Sequence, residues 1–137
     1  MARGFAKRLN ASLAIIDKRR TAANVAEAVN VVGDVEGRDC IIPDDMIDTG
    51  GTMTEAVYAL KRLGAGKIYI CATHPLLSGP ACQRLSEAPV EEIAVTNTVA
   101  IPNERKFEKL TVLSIAPLLA KAIGYTHGDL SVSSLFE

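Results

Sequence analysis

Residues 40–54 run from apolar to acidic to glycine- and hydroxyl-rich: Cys40, Ile41 and Ile42, then Pro43, Asp44, Asp45 and Asp48, then Thr49, Gly50, Gly51, Thr52 and Thr54. That order predicts a site for a phosphorylated sugar. A helix beginning near Thr52 leaves backbone N–H groups unpaired at the positive end of its dipole, which is where a dianionic phosphate docks. Gly50 and Gly51 let the main chain come close, and the hydroxyls of Thr49, Thr52 and Thr54 can donate to phosphate oxygens or cap the helix. Asp44, Asp45 and Asp48 would repel that phosphate, so their duty is different. Carboxylates accept hydrogen bonds from vicinal sugar hydroxyls, and hard oxygens suit Mg²⁺ beside substrate phosphates. The plainer alternative is an ordinary turn in which the acids cap and the glycines bend.

The surrounding elements must deliver this turn. The run 40–42 reads as a buried strand that stops near Pro43, and Met53, Ala56, Val57, Leu60 and Leu63 share one face of a helix over 52–63, with Gly64 as its stop. Further helices are expected over 5–10, 80–86 and 115–123, the last entered through Ser114. Strands are expected over 12–17, 25–32, 67–73 and 92–97, with a turn at 33–37. Strands alternating with helices give an α/β fold, a mostly parallel sheet flanked by helices on both faces. Sites in such sheets lie beyond the strands' carboxyl ends, the edge on which Lys18 and Asp44 are expected. Leu110, Val112, Leu113, Ile115, Leu118, Leu119 and Ile123 read as core, and residues 124–137 are the least legible.

Lys18, Arg19 and Arg20 form a cationic cluster after the strand over 12–17. By itself it is either a solvated loop or a set of cations that stabilise charge building on phosphate oxygens. His74, before Pro75, is read as a hydrogen-bonded loop residue ahead of a ligand contact.

Composition narrows the partners. The chain has 137 residues, enough for one domain, and 15 basic against 16 acidic residues give a net charge of −1. Neither nucleic acid nor an anionic membrane is implied. No apolar run approaches the roughly 20 residues of a membrane span, and the reading is cytoplasmic. Cys40, Cys71 and Cys82 are odd in number and lack zinc-site spacing, so reduced, buried thiols are expected.

Residues 44–52 resemble the phosphoribosyl-pyrophosphate motif of the type I phosphoribosyltransferase fold, in the version found in ribose-phosphate pyrophosphokinases. Residues 13–20 are similar to that family's catalytic flexible loop, and 73–81, 95–98, 113–120 and 131–136 follow its order. Pro43 departs from the family's usual aliphatic residue, with a slight change of the strand end expected. The resemblance implies ribose 5-phosphate and ATP as partners with Mg²⁺, and transfer of diphosphate to give phosphoribosyl pyrophosphate and AMP. It assigns Lys18 and Arg20 to catalysis and Arg20, Asp44, Asp45, Asp48, Thr49, Gly50, Gly51 and Thr52 to ribose 5-phosphate. Ser131 and Ser133 resemble allosteric nucleotide-phosphate positions. No metal ligand is fixed by it.

The resemblance covers only the family's C-terminal half. Residues 1–137 are therefore expected to be a single phosphoribosyltransferase-like domain without the N-terminal domain and pyrophosphate loop, incomplete for catalysis by itself, and a homo-oligomer or an associate of a complete synthetase. Two alternatives stand beside it: a non-catalytic regulatory or binding subunit of a synthetase, and a phosphoribosyltransferase that passes ribose to a base.

Overall fold

The computed structural model describes residues 1–19 and 28–136, with the side chains of 17–19 and 28–30 left aside. Arg20 lies outside the described residues. In chain order the elements are α1 (Ala2–Leu9), β1 (Ile15–Arg19), β2 (Ala28–Val32), β3 (Cys40–Ile47), α2 (Gly51–Arg62), β4 (Ile68–Pro75), α3 (Ala81–Glu87), β5 (Glu92–Thr96), β6 (Leu110–Leu113) and α4 (Ala116–His127). Short 3-10 turns occupy Asn103–Arg105 and Val132–Leu135.

Strands β3, β4, β5 and β6 form one parallel sheet in that order, and β1 pairs antiparallel with β2 in a separate hairpin. The chain thus has the α/β architecture its alternating pattern implies. In β4 the even-numbered Ile68, Ile70 and Ala72 are buried while Tyr69 and Cys71 are only half-buried, the period of two that a sheet with unlike faces requires. Ile93 and Val95 continue the buried face on β5. Against it lie Met53, Val57 and Leu60 of α2 and Ala81 and Leu85 of α3, in one apolar cluster. Each large side chain fully buried there contributes about 1.5–3 kcal/mol. Coverage of the two faces is uneven, since Ile41 on the opposite face is exposed.

Helix α2 stops as its sequence specifies. Gly64 adopts φ 79, its N–H donates to the Lys61 carbonyl at 3.0 Å, and the Ala65 N–H donates to the Leu60 carbonyl at 3.1 Å. This pair of bonds past a left-handed residue satisfies carbonyls that the helix end would otherwise orphan.

Several expectations need correction. Strand β3 does not stop near Pro43 but runs to Ile47, with Pro43 opposite Cys71. Among the described residues β3 is an edge strand, and an edge tolerates a missing N–H that faces away from the ladder. Lys18 does not follow the strand expected over 12–17; it lies within β1, opposite Val29 of the two-stranded sheet. The stripe expected to be core divides: Leu110 packs on the core, while Val112, Leu113, Leu118, Leu119 and Ile123 are exposed and α4 buries no residue. Apolar spacing alone cannot distinguish a core face from one that this chain leaves bare. The thiols of Cys40, Cys71 and Cys82 are free, as expected, but half-buried. Burial pushes the pKa values of Cys40 and Cys71 up.

Candidate functional site

The turn between β3 and α2 is built on the carboxyl end of the sheet. Asp44 stands opposite Ala72 within the ladder and is half-buried, whereas Asp45 and Asp48 are exposed. The Asp45 N–H donates to Asp44 Oδ1 at 2.9 Å, which fixes that carboxylate and leaves Oδ2 for another partner. Burial raises the Asp44 pKa, the neighbouring Asp45 carboxylate raises it further, and the Asp45 N–H opposes both. An ionised Asp44 therefore gains from any ligand that brings hydroxyl donors or a cation.

Beyond Ile47 the chain turns through Gly50, which caps α2 in the left-handed region at φ 73. A side chain there would be strained by its backbone. The carbonyls of five consecutive residues are engaged. That of Ile47 accepts from the Leu77 N–H at 3.0 Å, and that of Asp48 from the Ser78 N–H at 2.9 Å. Arg84 Nη1 donates to the Thr49 carbonyl at 3.2 Å. Thr54 Oγ1 lies 3.0 Å from the Gly50 carbonyl and 2.9 Å from that of Gly51, and its N–H also donates to Gly50. By contrast, among the described residues no acceptor takes the backbone N–H groups of residues 49–53. The acceptors of the turn are engaged while its amides find none among the described residues, which is the polarity an anion needs.

This arrangement separates the hydroxyls that the sequence grouped together. Thr54 is 8% exposed and its hydroxyl is spent on α2, so it does not serve a phosphate. Thr49 and Thr52 are exposed beside these amides. Asp48, Thr49 and Thr52 face solvent along the turn. A cavity of about 700 Å³ lies elsewhere, at the other end of β3, lined by Phe5 and Leu9 of α1, by Ala14 and Ile16, and by Ile42 and Pro43.

His74 belongs to β4, opposite Met46, and not to a loop. Its Nδ1 is 2.9 Å from Thr98 Oγ1. Thr98 Oγ1 and Thr96 Oγ1 lie 2.8 and 2.6 Å from the Thr73 carbonyl, which only accepts. Thr98 Oγ1 thus bridges the His74 ring and the Thr73 carbonyl, with Thr96 Oγ1 3.2 Å away in the same cluster. The hydrogen-bonded histidine expected from sequence is present.

Of the remaining candidates, Ser131 and Ser133 are exposed at the Val132–Leu135 turn, which packs on α4. Lys18 is placed in the hairpin backbone only. Among the described residues no group of three His, Cys, Asp or Glu side chains can hold a metal. Arg84, which the sequence reading passed over, touches the turn directly; nothing in its spacing on α3 connects it with Thr49, and only packing does.

A family model described as "Phosphoribosyl synthetase-associated domain" matches residues 18–137. The chain is 55% identical to a ribose-phosphate pyrophosphokinase from Listeria ivanovii over 136 residues, 99% of this chain and 43% of that protein. It is 54% identical to the ribose-phosphate pyrophosphokinase of a Nostoc species over 137 residues, 99% of this chain and 42% of that one. The crystal structure of phosphoribosylpyrophosphate synthetase from Mycobacterium smegmatis superposes with a TM-score of 0.84 at 47% identity, covering 92% of this chain and 40% of that one. The chain thus spans less than half the length of these relatives.

Proposed function

We propose a function from one premise: the chain belongs to the phosphoribosyl synthetase-associated domain family. It binds ribose 5-phosphate for a ribose-phosphate pyrophosphokinase reaction. The observation that carries this reading is the acidic strand end running without a break into the amides of residues 49–53, which find no acceptor among the described residues. Asp44 and Asp45 accept from the ribose hydroxyls, and residues 48–52 cradle the 5-phosphate through N–H groups and the Thr49 and Thr52 hydroxyls. One end of the sugar phosphate is thereby held by acceptors and the other by donors.

In the reaction, the anomeric hydroxyl oxygen attacks the β-phosphorus of ATP. A C1–O–P bond forms, the bond from the β-phosphorus to the α,β-bridging oxygen breaks, AMP leaves, and the hydroxyl proton is lost. Negative charge accumulates on the transferring oxygens, so Lys18 and Arg20 serve as electrostatic partners for them. Mg²⁺, when bound, neutralises phosphate charge. With no three-residue metal cluster among the described residues, its ligands from this part of the chain would be Asp44 or Asp45 acting together with substrate oxygens, the arrangement Mg²⁺ favours.

Residues 1–137 form the single phosphoribosyltransferase-like domain of this activity, and ATP turnover requires the remainder of the length that the relatives possess. Calorimetric titration with ribose 5-phosphate tests the reading: the chain binds it, Asp48→Ala weakens it, and radiolabelled ATP is not consumed by this chain alone. Absence of binding refutes the proposal, and pyrophosphate release that depends on an added base would establish a phosphoribosyltransferase instead.

A further inference from the structure

We propose that Arg84 is a positioning residue of the phosphate subsite, holding the Thr49 carbonyl from behind so that the next amides stay turned toward the phosphate. This rests on the sugar-phosphate reading above. Five successive carbonyls, from Ile47 to Gly51, are each pinned, and four of the holders are backbone N–H groups or the Thr54 hydroxyl. The holder of the Thr49 carbonyl is different, a charged side chain from another helix, 35 residues away in sequence. Within one trans peptide unit the C=O and the following N–H point in opposite directions. Fixing the Thr49 carbonyl on α3 therefore aims the Gly50 N–H to the other side, where the amides of residues 49–53 have no acceptor among the described residues.

The local packing preserves this seat. A Cβ on Gly51 would stand 3.4 Å from Arg84 Nη1, and one on Gly50 would meet Leu85 Cγ at 3.4 Å and Ala81 Cα at 3.5 Å. Helix α3 thus backs both glycines, and Arg84 is the cation in that wall. A guanidinium has five N–H donors and loses no charge at any working pH. Its side chain is exposed, so it steers the turn without supporting the core.

The test compares wild type with Arg84→Met, Arg84→Lys, Gly51→Ala and the Gly51→Ala/Arg84→Met double variant, titrated with ribose 5-phosphate and, separately, with unphosphorylated ribose. Arg84→Met is expected to lower ribose 5-phosphate affinity about tenfold, the scale of one charge-assisted hydrogen bond, with ribose affinity and melting temperature unchanged. Lysine, which can donate once to the same carbonyl, restores part of the loss. Gly51→Ala, whose Cβ would meet Arg84 Nη1 only at 3.4 Å, leaves that seat in place, so the loss caused by Arg84→Met recurs in the double variant. Ribose 5-phosphate binding by Arg84→Met equal to wild type, or equal losses for ribose and ribose 5-phosphate, overturns the role of Arg84. A wild-type chain that binds no ribose 5-phosphate overturns the site reading beneath it.

Discussion

Replacing Gly50 by alanine isolates what the turn demands of its backbone. Gly50 has φ 73, and Gly37, before the opposite end of β3, has φ 67 with nothing within 4 Å of where a Cβ would stand. An L-residue in the left-handed region costs roughly 1–2 kcal/mol, partly offset because alanine also narrows the unfolded ensemble by about 0.4–1 kcal/mol. Both variants should therefore lose about 1 kcal/mol. The contacts at Gly50, 3.4 Å to Leu85 and 3.5 Å to Ala81, are ordinary van der Waals distances or close to them and add little. For a chain of this length the melting temperature should fall by roughly 3–5 °C in each case, and the two losses should agree within about 0.5 kcal/mol in urea titrations. Only Gly50→Ala should also weaken ribose 5-phosphate binding. A neutral Gly37→Ala would refute the backbone reasoning, and a Gly50→Ala loss several times larger would show that packing against α3 dominates instead.

Three other outcomes follow from the same structure. Asp44 has its pKa raised by folding, so the stabilisation from its proton is complete below the unfolded value of about 3.9 and is lost as pH rises through the folded value; at pH 7 the ionised group is a cost. Asp44→Asn should raise the melting temperature at pH 7 with the gain vanishing near pH 3, in melts across that range, while sugar-phosphate binding weakens. Thr54→Val removes a buried hydroxyl that serves the Gly50 and Gly51 carbonyls and should cost about 1 kcal/mol in denaturant unfolding. Ile123 is 69% exposed, so Ile123→Glu should change stability by less than about 0.5 kcal/mol; a loss of several kcal/mol would mean that α4 is covered in solution.

Much of the architecture was legible in the residues. The helix over 52–63 and its stop at Gly64 rest on local chemistry, apolar spacing and a left-handed glycine, and the structure places α2 at Gly51–Arg62. The strand over 92–97 is found at Glu92–Thr96. Pro43 misled because a proline ends a central strand but is tolerated on an edge, and edge status is a property of the sheet. The four-residue β6 merged with the apolar run that follows it, so its period could not be separated from that of α4. At the site, the acids and glycines were readable because their order is local. Arg84 and the fate of the Thr54 hydroxyl were not, since each depends on how α3 and α2 lie against the turn.

The most direct test follows the amide resonances of the isotopically labelled chain while ribose 5-phosphate is added. The account predicts that the N–H signals of residues 49–53 shift most, that inorganic phosphate moves the same set, and that unphosphorylated ribose leaves them in place. Saturable binding whose shifts fall elsewhere, or amides at 49–53 that do not respond, would contradict it.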